Sequence, residues 1–229
     1  MRTVKRVLLF MAMSLSINKA WPQHTDSRWM LTPQAGVMVS WMTDNALDCR
    51  HGFGWTGGIE TSYALRKDVS LAFGLFYMRD HMSCLNYTTY EHQDKGMQFY
   101  IVDKNWVLFE QMSIPLMLSL QVSPQFCLKA GLQADLLLSA EKKGRLRGNH
   151  YYEQIAKVQE PVERNVHEDI KNKLYDVGFV VPVGVSYELS RFIFDVRYHF
   201  RLGHKIKNND GNHHYLLLSV GYRLPMSWK

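Results

Sequence analysis

Residues 112–139 read MSIPLMLSLQV, then SPQ, then FCLKAGLQADLLLS, and this stretch decides the fold. In the first part Met112, Ile114, Leu116, Leu118, Leu120 and Val122 share one face, with Ser113, Pro115, Met117, Ser119 and Gln121 on the other. After the turn Ser123-Pro124-Gln125 the alternation resumes. Phe126, Leu128, Ala130, Leu132, Ala134, Leu136 and Leu138 oppose Lys129, Gly131, Gln133, Asp135 and Ser139. Alternation with a period of two is the mark of a strand with one apolar face. The eleven residues 112–122 are also the length that a tilted strand needs to cross a bilayer's hydrocarbon core.

The same rhythm runs outward in both directions. Towards the N-terminus it marks strands at Ala35–Trp41, Ile59–Leu65 and Val69–Tyr77; towards the C-terminus, at Val177–Leu189, Phe192–Leu202 and Leu216–Leu224. The connections alternate in length. Residues 43–53, 80–107, 141–173 and 203–213 are long, whereas 66–68, 123–125 and 190–191 are short. This pattern predicts an all-β protein, an eight-stranded antiparallel up-and-down transmembrane β-barrel. Its short turns are periplasmic, its long loops extracellular, and both termini lie in the periplasm.

A soluble lipocalin-like ligand carrier would also alternate, so the residue types must decide. The polar face holds mostly Gly, Ser, Ala and Gln, which suit a cramped lumen better than contact with bulk water. Glu60, Lys129, Asp135, Asp195, Arg197, Arg201 and Arg223 also fall there and are expected to pair, because unpaired buried charge is costly. Aromatic residues collect near both ends of the apolar stripes. Trp41, Trp55, Tyr77 and Phe200 fall at the outer ends, and Tyr63, Phe126, Tyr187, Phe192 and Tyr222 at the inner ends. Two such girdles belong at membrane interfaces. Pro115 and Pro182 sit in mid-strand, where local bulges are the expected accommodation.

The chain starts MRTVKR, continues with the apolar VLLFMAMSLSI and reaches Ala20, which reads as a secretory signal peptide over 1–20 and leaves the barrel domain at 21–229. The first 20 residues hold four basic side chains and no acid, so the formal charge of +6 falls to +2 without them. No nucleic-acid partner is inferred from so small an excess. Of three cysteines, Cys49 and Cys84 fall in the first two long loops on one side of the barrel. They are expected to form a disulfide in an oxidising compartment, leaving Cys127 free near the opposite side.

The segment SIPLMLSLQVSPQFCLKAGLQADLLLSA (113–140), the stretch Val177–Tyr198 and the closing SVGYRL (219–224) resemble the PorT-like outer-membrane β-barrels of Bacteroidota. The resemblance spans about residues 30–224 and implies eight strands in the outer membrane of a Gram-negative envelope, with no catalytic residues to carry over. Barrels of that kind often end on an aromatic residue directly after the last strand. Here Pro225-Met226-Ser227-Trp228-Lys229 follows, and Trp228 is the aromatic placed to substitute.

No nucleophile elbow, phosphate loop, zincin helix or CxxC pair is present. His204, His213 and His214 lie close in sequence, but their spacing matches no common ligand pattern, so no metal and no cofactor are expected. A lipid-A-acting enzyme would need a Ser–His–acid group facing the bilayer. The candidates His199, Ser40 and Ser139 fall on the lumen face instead. The basic run Lys142, Lys143, Arg145 and Arg147 in the third long loop is set against Glu141, Glu153, Glu160 and Glu163, and a short helix is allowed within 151–172, interrupted by Pro161. The reading is a non-enzymatic barrel with a structural or surface-interaction role carried by its outer loops. Its expected partners are outer-membrane lipids and lipopolysaccharide, the barrel-assembly machinery during biogenesis, and an external protein at those loops. Eight strands leave a lumen that side chains fill, so no conducting pore is expected.

Overall fold

The computed structural model describes residues 28–43, 49–84, 87–93, 96–152, 155–207 and 212–226. The expected signal peptide and Trp228 lie outside them. The strands are β1 (Trp29–Thr43), β2 (Cys49–Ala64), β3 (Val69–Cys84), β4 (Tyr87–Gln93), β5 (Gly96–Gln121), β6 (Phe126–Tyr152), β7 (Ile155–Asp169), β8 (Val177–Leu189), β9 (Phe192–Leu202), β10 (Asn212–Tyr222) and β11 (Leu224–Met226). Eight of them form an antiparallel ring in the order β1, β2, β3, β5, β6, β8, β9, β10, and β10 pairs back onto β1. β11 extends the last strand along the foot of β1, pairing Leu224 with Leu31 and Met226 with Trp29. Closure leaves no free edge within the ring, which lets a sheet cross a membrane with its backbone hydrogen bonds satisfied.

Burial sorts the two faces as the alternation predicts. Along β1, Met38 is 1% exposed and Val39 49%. The large apolar side chains of the outward stripes, such as Leu118 in β5 and Leu128 in β6, are half exposed, while Ser113, Gln133, Asp135 and Asp195 are buried in the lumen. An exposed apolar band around a buried polar interior inverts a soluble protein and suits a lipid-facing barrel. Aromatic pairs close the band at both ends. Trp55–Tyr77 and Trp41–Tyr198 stand towards the long loops; Trp29–Tyr63, Phe126–Tyr187 and Phe192–Tyr222 stand towards the short turns. The two-residue turn after β8 uses Ser190 at φ 58°, the left-handed geometry that tight hairpins demand.

The mid-strand prolines are accommodated differently from expectation. The β3–β5 ladder skips two pairs between Phe73↔Leu116 and Phe76↔Ser113 but keeps its register, so Pro115 faces Gly74 with no bulge. The β6–β8 ladder does the same between Ala130↔Val183 and Gln133↔Val180, which sets Pro182 against Gly131. The absence of a side chain at Gly74 gives the Pro115 ring room, since a Cβ there would meet its Cγ at 3.1 Å, and at both prolines the missing N–H is answered by a skipped bond instead of an inserted residue. One bulge that re-aims the lumen face lies elsewhere, in β6. Between Glu110↔Ser139 and Gln111↔Leu137 one extra residue enters β6, and beyond it the alternation reverses. Ala140 is buried in consequence, and Ser139 pairs outside with Glu110, not in the lumen as its parity suggested.

Most of the described residues in the two longest segments read as loops, 80–107 and 141–173, are strand. β5 and β6 run for 26 and 27 residues, and 27 residues of extended chain reach roughly 90 Å, far beyond a bilayer core. Their outer halves carry β4 and β7 on either side, making a four-stranded sheet in the order β4-β5-β6-β7 that continues out of the barrel wall. Among the described residues of 151–172 no α-helix forms. β7 occupies most of that stretch, followed by a single 3-10 turn at Lys171–Lys173. Pro161 falls in the irregular step between Gly148↔Val162 and His150↔Gln159, on an edge strand where a missing donor is tolerated.

Candidate functional site

Two regions gather the candidate side chains: the lumen and the sheet above it. In the periplasmic mouth Arg223 donates two hydrogen bonds to Glu188, at 2.7 and 2.5 Å, and the Cys127 thiol lies 3.5 Å from the same carboxylate. Above this is a four-charge network. Lys129 Nζ is 2.8 Å from Asp195 Oδ2 and 3.5 Å from Glu60 Oε1. Arg197 reaches Glu60 Oε2 at 2.8 Å and Asp195 Oδ2 at 2.5 and 3.0 Å. Two acids and two bases balance, so β2, β6 and β9 are tied together without net buried charge.

The middle of the lumen is polar but filled. Ser113 and Gln133 donate to Asp135 at 2.6 and 2.7 Å, and Gln133 also donates to the Tyr215 hydroxyl at 2.8 Å. Arg201 lies 3.9 Å from Asp135, and the absence of a side chain at Gly178 makes room for its guanidinium, which a Cβ there would meet at 1.9 Å. His199 lies flat on Tyr215, with ring centres 4.1 Å apart. A void of about 10 Å³ beside His199, Arg197 and Gln34 could hold at most a single water. Each charge expected to pair in the lumen does so, Arg223 at its rim.

At the outer end Ser40 donates to Asp80 Oδ1 at 2.8 Å, and His213 Nε2 lies 3.0 Å from Asp80 Oδ2. Lys205 enters from the loop after β9 and places Nζ 3.7 Å above the Phe109 ring, with no hydrogen-bond partner among the described residues. Burial pushes its ammonium down to about 7, and the nearby Arg201 charge adds to the shift. An apolar cap closes over it. Ile170, Leu174 and Ile206 pack on Met42, Met82 and Phe109, and the Leu174↔Ile206 bridge fastens the two capping segments together. The Cys49–Cys84 disulfide lies in this cap, so those cysteines pair as expected, although from facing strand ends and not from loops. Cys127 is free and buried.

The remaining candidates separate. His213 faces the lumen and His214 the outer aromatic band beside Tyr198, while His204 is exposed, so the three histidines do not converge. Ser40 is committed to Asp80, His199 to Tyr215, and Ser139 is on the other side of the wall. No nucleophile–base pair forms among them. The basic run of 142–147 is on β6, where the register sets Lys142 opposite Glu168 and Arg147 opposite Glu163. Lys143 contacts Glu141 at 2.8 Å and lies over Trp106, which in turn meets His81 at a tilt of 43°. His213 was weighed only as a loop histidine, so its place in the lumen was not foreseen, and Asp80 and Lys205 were not singled out. Extending the alternation of β10 backwards from Ser219 reaches His213, and extending β3 reaches Asp80. Lys205 has no such signal.

A closed eight-stranded ring with a lipid-facing apolar band, a charge-balanced packed lumen and an extended outer sheet defines a small transmembrane β-barrel of the outer membrane. The chain belongs to the family of the outer membrane protein beta-barrel domain, which matches residues 21–207. No curated protein matches the chain. Among solved structures it is similar to Ail, the attachment invasion locus protein of Yersinia pestis, in complex with the heparin analogue sucrose octasulfate. That likeness has 14% identity and a TM-score of 0.44, over 86% of this chain and 99% of that one. It is also similar to Neisserial surface protein A, with 13% identity and a TM-score of 0.45 over 86% and 98%. The N-terminal β-barrel domain of Pseudomonas aeruginosa OprF gives 10% identity and a TM-score of 0.35 over 86% and 98%. These are likenesses only, and no activity is taken from them.

Proposed function

We propose that this outer-membrane barrel is a non-enzymatic surface-interaction protein of the PorT-like type, and that its outer sheet is the part that meets a partner. The observation that carries the reading is the four-stranded sheet β4-β5-β6-β7, which continues the barrel wall beyond any bilayer thickness. A wall twice as long as the membrane needs is a cost in folding unless its outer half does something. The packing of the lumen among the described residues supports the same reading, with Ser40 held by Asp80 and His199 stacked on Tyr215. Residues 1–20 are the cleaved signal in this account. Outer-membrane lipids and lipopolysaccharide surround the barrel, and the assembly machinery inserts it.

The test is photo-cross-linking from Asn165 and His167, both exposed on β7, in intact cells. A discrete captured species from these positions, absent from a variant lacking residues 87–102 and 146–164 that still folds, supports the reading. Adducts only with bulk lipid overturn it. A changed lipid A profile in a deletion strain would favour the enzyme instead.

A further inference from the structure

The periplasmic rim of the barrel repeats one arrangement. Arg28 directly precedes Trp29 at the foot of β1, and Trp29 pairs with Tyr63 across the β1–β2 ladder. Arg191 directly precedes Phe192 at the foot of β9, and Phe192 pairs with Tyr222 across the β9–β10 ladder. In each unit the rings touch, with centres 4.8 Å apart in the first and 5.3 Å in the second. Each arginine also donates to the tyrosine hydroxyl, Arg28 Nη1 to Tyr63 at 3.4 Å and Arg191 Nη1 to Tyr222 at 3.3 Å. A third aromatic pair of the same kind, Phe126↔Tyr187, has Gln125 where the other two have arginine.

Neither Arg28 nor Arg191 makes an ion pair among the described residues, and both are exposed. The bond to tyrosine uses one of the five N–H donors of each guanidinium, so four remain on an exposed side chain. Its depth is fixed by the neighbours. Trp29 and Phe192 are 44% and 48% exposed, at the inner edge of the lipid-facing apolar band, and the arginines stand one residue beyond it. That is the level at which headgroup phosphates lie, and a planar fork with several donors matches a phosphate oxygen pair better than it matches water. The turn residues Arg66 and Lys67 add positive charge to the same side, against one acid, Asp68.

We infer that the two Arg–aromatic–Tyr units are binding sites for the phosphodiester headgroups of glycerophospholipids in the inner leaflet of the outer membrane, one lipid per unit. The tyrosine hydroxyl fixes the guanidinium, the aromatic pair bears on the glycerol region, and the free N–H groups hold the phosphate. The inference rests on the barrel's place in the membrane and is independent of what the outer sheet binds.

The experiment uses the full barrel folded into nanodiscs of phosphatidylethanolamine and phosphatidylglycerol, released and weighed by native mass spectrometry. Wild type is expected to retain one phospholipid per unit, and Arg28→Gln to retain one fewer. Arg28→Gln/Arg191→Gln, which gives both units the side chain already present at Gln125, is expected to lose both while keeping heat-modifiable gel migration. Retention unchanged in the double variant overturns the inference. So does an equal loss in Arg79→Gln, an exposed arginine towards the outer end. Wild type alone gives a second test. Nanodiscs of a phosphate-free betaine lipid should leave no retained lipid, and equal retention from them refutes a phosphate site.

Discussion

Removing Arg197 probes the lumen most sharply. Its guanidinium holds Glu60 at 2.8 Å and Asp195 at 2.5 and 3.0 Å, and both carboxylates are almost wholly buried. Lys129 is the other cation in the network, so Arg197→Met leaves two buried acids facing one base. Breaking a buried pair from one side costs about 3–5 kcal/mol, because the remaining charge has neither partner nor water. The double variant Arg197→Met/Glu60→Gln restores neutrality, with one acid to one base, and should recover about 1–3 kcal/mol of that loss as a coupling energy. Urea unfolding of the barrel in lipid vesicles, followed by gel migration and tryptophan fluorescence, measures both. A single-variant loss below about 1 kcal/mol, or a double variant equal to the sum of the singles, would refute the idea that this network is a balanced structural tie.

Lys205 gives a pH dependence with a definite sign. Its amine titrates at about 7 when buried, against 10.5 in an open chain, so opening the cap takes up a proton between those values and closure strengthens as pH rises through them. Hydrogen exchange at 170–174 and 203–207, corrected for its intrinsic pH dependence, should slow from pH 7 to about pH 9 in wild type and lose that trend in Lys205→Met. Non-reducing mass spectrometry should find Cys49 joined to Cys84 and Cys127 as thiol; free thiol at Cys49 in the native protein would contradict the cap as described. Planar-bilayer recording should find no stable large conductance, since the charge tiers and the apolar cap pack across the lumen among the described residues.

How much of this was legible depended on which solvent each stretch meets. Where a strand has lipid on one side and the lumen on the other, as in MSIPLMLSLQV, the two environments impose period two and the strand can be read directly. Beyond the membrane both faces of a sheet meet water, so EKKGRLRGNHYY carries no alternation although it is strand from end to end. Its pairing with β7 is held by the ladder, which sequence parity cannot reveal. The bulge near Leu138 was hidden for a different reason: one inserted residue reverses parity without changing composition, and Ser139 was misassigned to the lumen. Charge pairing in the lumen was foreseeable because a dry interior leaves no alternative, whereas Lys205 arrives from a loop, where parity says nothing.

Topology in living cells decides the central claim, that this is a membrane barrel with its long sheet outside and its short turns in the periplasm. Asn165→Cys on β7 and Lys67→Cys in the turn after β2 are both exposed positions on opposite ends of the barrel. A membrane-impermeant maleimide added to intact cells should label the first and not the second, with Lys67→Cys becoming reactive only once the outer membrane is permeabilised. Labelling of Lys67→Cys in intact cells, or protection of Asn165→Cys, would contradict it.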